Sequence, residues 1–431
     1  MTGRYKAYPD YKSSGVFWLD KIPSNWTINT VKRLTDFQVG WTPPTGNDKN
    51  FVGDNLWANI SDLKDKYLHN TAKNISDEAA RLASMDITPK GSLLYSFKLS
   101  VGSVSFAQQD MYTNEAIASF LSSSKLPLEY LYYSLPIFVI QNASTNIYGA
   151  RILNQELIKN AFLLEPSYKE AEKIANFLDH ETAKIDTLIT KQEKLIELLK
   201  EKLLANRYHT VTKGLNPDVS FVETGISWTP LAPEHWSQVP NRSVMSMRRV
   251  LVGQKYRNYQ LLSLTKKGVL VRNISSGEGK QSDHLDRTQE VRKGDLVFCL
   301  FDVEETPRTV GLSHHLGMIS GDYTVFECSN PNMARFLEYF YKAMDDRKLL
   351  KPLYRGLRKR IPKPGFLRVS IPVPPKEELE SILQSLDYLE ERIEQLTQLA
   401  DKQVTILKER KTALISAAVT GKIDVREWEA K

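Results

Sequence analysis

Two cysteines are all the chain has, Cys299 and Cys328. They are too few for a disulfide framework or a four-thiolate zinc site, and their scarcity suits a reducing compartment. Long apolar runs are missing too. None reaches the ~18 residues of a membrane span, and Met1-Thr2-Gly3-Arg4-Tyr5 opens no signal-peptide pattern. A cytoplasmic protein with no membrane attachment is expected. No phosphate loop is present: Gly279-Lys280 is followed by Gln281, and Ile274 stands where the first glycine belongs. His314 and His315 are adjacent, so they cannot share a helix face as ligands at i, i+4 would, and no carboxylate or thiolate cluster accompanies them. No catalytic residue and no metal ligand is expected.

What the chain does have, it has twice. From Ile174 the apolar residues Leu178, Ile185, Leu188, Leu195 and Leu199 recur in steps of three and four, the spacing of a coiled-coil seam, with Gln192 a polar exception. Adding 208 to these positions reaches Leu386, Ile393, Leu396, Gln403 and Leu407, and carries Asp179 to Asp387 and Val211-Thr212 to Val419-Thr420. Pro166 and Pro374 stand before the two copies, where proline favours a helix start. Each copy predicts one helix of roughly forty residues, about 60 Å long. The two are natural partners, since an amphipathic helix gains most of its stability from packing. The seam is expected to run through Leu178, Ile185, Leu188, Leu195, Leu199, Leu386, Ile393, Leu396 and Leu407. Gln192 and its counterpart Ala400 weaken its middle.

A second repeat precedes each helix. Gly15-Val16-Phe17-Trp18 and Ile22-Pro23-Ser24-Asn25-Trp26 return, 210 residues on, as Gly225-Ile226-Ser227-Trp228 and Ala232-Pro233-Glu234-His235-Trp236. These tryptophans suit core packing that fastens the start of a globular domain. Each anchor leads into about 130 residues of mixed strands, short helices and loops. Gly91–Phe97 and Val101–Phe106 read as strands in the first, Lys293–Cys299 and Arg308–Leu312 in the second. Gly149-Ala150-Arg151 returns as Gly356-Leu357-Arg358 inside the basic run Tyr354–Arg360. With 431 residues, two or three domains are expected, and 41% hydrophobic with 25% charged residues is an ordinary globular composition.

Charge is uneven. Lys+Arg against Asp+Glu stand at 16 and 15 in residues 1–168, 9 and 8 in 169–214, 24 and 16 in 215–373, and 9 and 12 in 374–431. The excess falls in the third block. A localised positive field favours a polyanion, most commonly nucleic acid.

The order, spacing and duplication of these features resemble the specificity subunit of type I restriction-modification systems. The likeness is carried by the Gly-x-x-Trp and Pro-x-x-Trp openings, by Ile174–Asp179 and its copy Ile382–Asp387, and by the closing Ala418-Val419-Thr420-Gly421-Lys422-Ile423. Leu262–Gly268 and Phe301–Arg308 also resemble one subtype of target recognition domain. The resemblance implies an α+β chain with an internal pseudo-twofold repeat: two mixed α/β target recognition domains separated by two long spacer helices that form an antiparallel coiled coil. Its segments are recognition domain 1 over 1–165, spacer helix 1 over 166–213, recognition domain 2 over 214–373, and spacer helix 2 with a tail over 374–431. It implies that each recognition domain reads one half of a split site on double-stranded DNA and that the spacers set the gap. It further implies two modification (methyltransferase) subunits docked on the helices, with restriction (translocase/nuclease) subunits joining them. This chain would hold no cofactor; S-adenosylmethionine, ATP and Mg would belong to the partners. Accordingly no flipped-base loop of the Asp/Asn-Pro-Pro-Tyr/Phe kind occurs, and Asn330-Pro331-Asn332-Met333 is the nearest approach.

Reading DNA takes cations for phosphates and forked donors or amides for base edges. The candidates are Lys64, Lys66, Tyr67, Lys98 and Arg151 in the first region, with the Gly40-Trp41-Thr42-Pro43 turn, and Arg248, Arg249, Lys255, Arg257, Tyr259, Lys280, Arg308, Arg355, Arg358 and Arg360 in the second. Two other readings remain open: a coiled-coil scaffold joining two protein-binding modules, and a specificity subunit serving a methylation-only complex.

Overall fold

The computed structural model describes residues 5–145, 149, 151–226, 228–272, 285–303, 308–328 and 330–429. Lys280, Ala150, Ser227 and residues 304–307 of the second-domain motif lie outside them. Two compact units divide the chain, Met1–Lys191 with Gln403–Lys431, and Gln192–Lys402. Each holds one mixed domain and parts of two long helices, Tyr168–Lys213 of 46 residues and Lys376–Val419 of 44, about 69 and 66 Å long.

The helices begin and end where local chemistry dictates. Ser167 Oγ accepts from the Glu170 N–H at 3.3 Å, capping the first, and Leu379 N–H donates to the Pro375 carbonyl at 2.8 Å in the first turn of the second. Gly214 (φ 75°) and Gly421 (φ 69°) close them in the left-handed conformation that favours glycine.

Inside each unit, the start of one helix lies antiparallel to the end of the other. In the first unit Lys411 pairs with Asp186 at 2.7 Å and Lys173 Nζ reaches the Arg426 carbonyl at 2.5 Å. In the second Arg207 pairs with Glu390, while Gly214 sits against Glu378. The seam differs from the expected one at two positions. Leu178, Ile185, Leu199, Leu386, Ile393 and Leu407 are buried and Leu396 is half-buried, but Leu188 and Leu195 are 46% and 43% exposed. After Ile185 a step of four reaches Ile189 as readily as a step of three reaches Leu188. Both are apolar, so periodicity alone could not choose. The helix buries Ile189 and half-buries Ile196 instead.

The two mixed domains share a topology. In the first, the strands Phe37–Val39, Ile117–Phe120, Leu93–Ser96 and Val104–Ala107 lie in that order, antiparallel throughout, with Tyr67–Leu68 added parallel at the edge. In the second, Met245–Arg248, Thr324–Cys328, Leu296–Phe298 and Val310–Leu312 lie in the equivalent order. Leu93–Ser96 and Leu296–Phe298 thus hold the same place, as the repeat predicts. The last three residues of the strand Val104–Ala107 are all buried, since both its faces are covered. A second small sheet also recurs. Asn55–Ala58 pairs parallel with Tyr112–Thr113 and antiparallel with Lys73–Ile75; Gln260–Thr265 pairs parallel with Gly317–Ile319 and antiparallel with Gly268–Val271. The core of each unit joins domain to helices: Trp26, Phe138, Phe177 and Leu414 pack together in one, Trp236, Phe336, Val211 and Leu386 in the other.

Candidate nucleic-acid interface

The second domain carries a groove with a basic rim. The Tyr354–Arg360 segment is a hairpin closed by Arg355 and Arg360, whose N–H groups and carbonyls pair reciprocally at 2.8 and 3.0 Å. Gly356 (φ 70°) and Lys359 (φ 44°) make the turn. The Asp302 N–H donates to the Arg358 carbonyl at 3.0 Å and the Ile361 N–H to the Leu300 carbonyl at 2.9 Å, so the hairpin is bolted to the segment Leu300–Asp302 that follows the strand Leu296–Phe298. Between them opens a concavity of about 670 Å³. Arg355, Arg358, Arg360 and Lys363 line it together with Asp302 and Asp322. A second concavity of about 730 Å³ shares Phe301, Gly321 and Asp322 with it and is bordered by Arg249, Arg272 and Arg287. The turns Gly253–Asn258 and Leu285–Arg287 pack together, bringing exposed Lys255 and Arg257 beside this end. Guanidiniums suit phosphates and guanine edges, whereas a carboxylate suits the cytosine amine.

Four of the expected residues are held inside the fold. Arg248 donates to Glu290 at 3.0 Å and to Asp295, and its side chain is nearly buried. Arg308 donates to Asp346 at 2.6 Å. Tyr259 donates to Glu290 Oε2 at 2.6 Å. This bond, with those from Arg292 and Arg248, holds the Glu290 carboxyl below the usual range, while burial pushes the Asp295 carboxyl up. In the first domain Lys66 Nζ pairs with Asp179 and lies 5.2 Å from the Tyr132 ring centroid and 5.8 Å from that of Tyr133. These side chains tie strands to strands and domain to helix. The sequence marks them as DNA contacts without showing the acids that partner them, which come from distant positions.

The remaining first-domain candidates lie apart. Exposed Lys64 lines a cavity of about 470 Å³ with Lys66, Tyr133, Asp186 and Lys411. Tyr67 is half exposed and packs on Phe106. Lys98 is 4.0 Å from Glu115, which also accepts from Thr42, so it joins the Gly40–Pro43 loop. That loop is held by the Trp41 N–H donating to the Thr113 carbonyl at 2.9 Å, an approach so close that a Cβ at Gly40 would clash with the same oxygen. Arg151 is exposed, and its Nη1 reaches the Ile140 carbonyl at 3.4 Å. Sequence reasoning missed Arg272, Arg287, Lys363, Asp302 and Asp322. Only the positive φ of Asp302, 45°, sets one of them apart, and φ is invisible in sequence.

Asn330, the closest match to a flipped-base loop, accepts from the Asn332 N–H at 2.8 Å as the cap of the helix Pro331–Asp346. Among the described residues no group of three or more His, Cys, Asp or Glu could hold a metal ion, and no helix is long and apolar enough to cross a membrane.

A mixed domain thus occurs twice, each copy on paired stretches of the long helices, and the second copy carries a groove lined by cations. Comparison with known proteins agrees. Residues 23–198 match the family model described as the type I restriction modification DNA specificity domain. The chain is similar to the type I restriction enzyme MjaIX specificity subunit of Methanocaldococcus jannaschii, 27% identical over 189 residues, which are 42% of this chain and 43% of that relative. Among solved structures it is similar to a chain from work on complex assembly and conformational transition of the type I R-M system (TM-score 0.67, 12% identity, covering 93% of this chain and 99% of that one). It is also similar to the HsdS subunit from Thermoanaerobacter tengcongensis (TM-score 0.54, 13% identity, covering 96% and 100%). Residues 23–198 therefore match the type I DNA specificity domain, and the chain has the fold of a type I restriction-modification specificity subunit.

Proposed function

We propose that this chain is the non-catalytic addressing subunit of a type I restriction-modification complex. Each recognition domain reads one half of a bipartite DNA site, the paired helices set the gap, and two modification subunits dock on them. The four segments 1–165, 166–213, 214–373 and 374–431 serve as recognition domain, spacer, recognition domain and spacer. One observation carries this reading: one topology occurs twice, each copy fastened by its own tryptophan to the first turn of a different long helix. The basic groove of the second domain and its local charge excess, 24 cations to 16 acids over 215–373, support the DNA partner. Adenine methylation with S-adenosylmethionine, and any ATP- and Mg-dependent translocation and cleavage, belong on this reading to the partner subunits.

Genome-wide methylation mapping with and without the chain tests it. A two-part N6-methyladenine motif that disappears with the chain is the expected result; a contiguous motif, or none, overturns it. Exchanging Gly225–Ser370 for another recognition domain should change one half of the motif only. A heptad inserted in one spacer should alter the gap or abolish methylation, and indifference to it would remove the ruler.

A further inference from the structure

The apex of the basic hairpin is apolar. Leu357 is fully exposed there, at 103% of its reference area, and it is the most exposed large hydrophobic side chain of the described residues. A lone exposed leucine needs no explanation in itself. This one differs in its setting. The two-way Arg355–Arg360 pairing, the turn at Gly356 and Lys359, and the Asp302 and Ile361 N–H bonds fix the backbone beneath it, so the side chain is held out on a rigid tip. Around it stand Arg355, Arg358, Lys359 and Arg360, with no acid between 355 and 360. Four cations in six residues favour a polyanion over a protein groove.

The geometry points to Leu357 as an apolar wedge that enters the base stack of the duplex engaged by the second domain. The inference rests on the DNA-addressing reading above. Its physics is that of cation-flanked wedges: the guanidiniums neutralise phosphates on either side while the aliphatic group replaces a base-stacking contact and opens one step. A step that unstacks readily then binds better, so Leu357 contributes sequence preference without a hydrogen bond to any base. Rigidity matters, because a tip already ordered loses little conformational freedom on insertion.

The test uses the full chain and duplexes enriched by it from a random-sequence pool, with 2-aminopurine replacing each adenine of the enriched half-sites in turn. The expected result is a several-fold fluorescence rise at one step of one half-site. Leu357→Ala should abolish that rise and weaken the enriched duplex about tenfold, and Leu357→Met should keep both. Binding to unselected duplex and its salt dependence should stay unchanged in all three proteins, because the flanking cations remain. Enrichment without a bright step, or a rise that persists in Leu357→Ala, overturns the wedge and leaves the DNA-addressing reading standing. A Leu357→Ala chain that reads the duplex normally but fails to assemble with modification subunits overturns it in favour of a protein contact. A pool that enriches nothing removes the underlying reading and the wedge together.

Discussion

The indole N–H of Trp26 donates to Glu170 Oε1 at 3.0 Å, and 210 and 208 residues further on Trp236 donates to Glu378 Oε2 at the same distance. Each glutamate lies in the first turn of a long helix, and each indole also packs on the glycine that ends the other helix. The Trp26 ring lies 3.3 Å from the Cβ position of Gly421, and the Trp236 ring 3.3 Å from that of Gly214. One aromatic side chain therefore registers a domain against the start of one rod and the finish of the other. Asp179 and Asp387 repeat the arrangement a few turns along, accepting from Tyr133 at 2.5 Å and Tyr339 at 2.8 Å. The cation beside them changes from Lys66 to Arg335.

Three substitutions separate the ring's packing from its bond. Trp26→Phe keeps most of the apolar area but deletes the donor to a buried carboxylate, which Tyr8 and Asn25 continue to serve at 2.7 and 3.1 Å. The expected cost is about 1–3 kcal/mol. At Gly421 an added Cβ would sit 2.4 Å from Pro23 Cδ, in a backbone conformation that side chains disfavour. At Gly214 it would meet a flexible carboxylate oxygen of Glu378 at 2.6 Å. Both glycines are left-handed, so each substitution should cost about 1–2 kcal/mol, and Gly421→Ala should cost more than Gly214→Ala because it meets a proline ring where Gly214→Ala meets the end of a flexible side chain. Hydrogen exchange should place the first loss in Met1–Lys191 with Gln403–Lys431, and the second in Gln192–Lys402.

The seam can be tested by contrast. Ile189→Ala empties a buried position and should cost about 2–4 kcal/mol, whereas Leu188→Gln and Leu195→Gln should stay within about 0.5 kcal/mol in the chain without partners. Thermal melts of the three variants decide it. Equal losses at Leu188 and Ile189 would mean that the helix turns its other flank inward.

The duplication made the two helices, their helix-start prolines, the tryptophan anchors and the equivalence of the two strand sets legible. It also held a clue to the seam. The copy of Leu195 is Gln403, a residue suited to water, and the copy of Ile196 is Val404, which is buried. What stayed hidden was pairing over long distances. Nothing near Arg248 announces Glu290 and Asp295, and nothing near Lys66 announces Asp179, because those meetings depend on sheet order and on where the helix returns. The groove was half legible for the same reason: the run 355–360 stands out as sequence, but Arg249, Arg272 and Arg287 converge only in the fold.

That division predicts opposite phenotypes for arginines of one domain. Arg358→Ala removes a rim cation and should leave the melting temperature unchanged while lowering the salt slope of duplex binding by about one unit if it meets a phosphate. Arg248→Ala leaves Glu290 and Asp295 without their shared cation and should destabilise by about 3 kcal/mol. Paired melts and salt titrations of the full chain distinguish the two.

Acid should loosen the second unit through Glu290. Its carboxyl is held below the usual carboxylate range, chiefly because Tyr259 donates to it, with Arg292 and Arg248 adding to the effect. A lowered carboxylate adds stability that is complete above its unfolded value and disappears as pH falls through the folded one. Asp295 acts in the opposite sense, because burial raises its value, so its protonation relieves a penalty as pH falls. The Glu290 contribution should therefore be lost as pH falls through and below the ordinary carboxylate range, with Asp295 offsetting part of the loss. Glu290→Gln should be less stable than the parent at neutral pH and show a shallower decline, and Tyr259→Phe should shift the onset of the decline upward. A Glu290→Gln chain that declines as steeply as the parent would assign the acid sensitivity to other carboxylates.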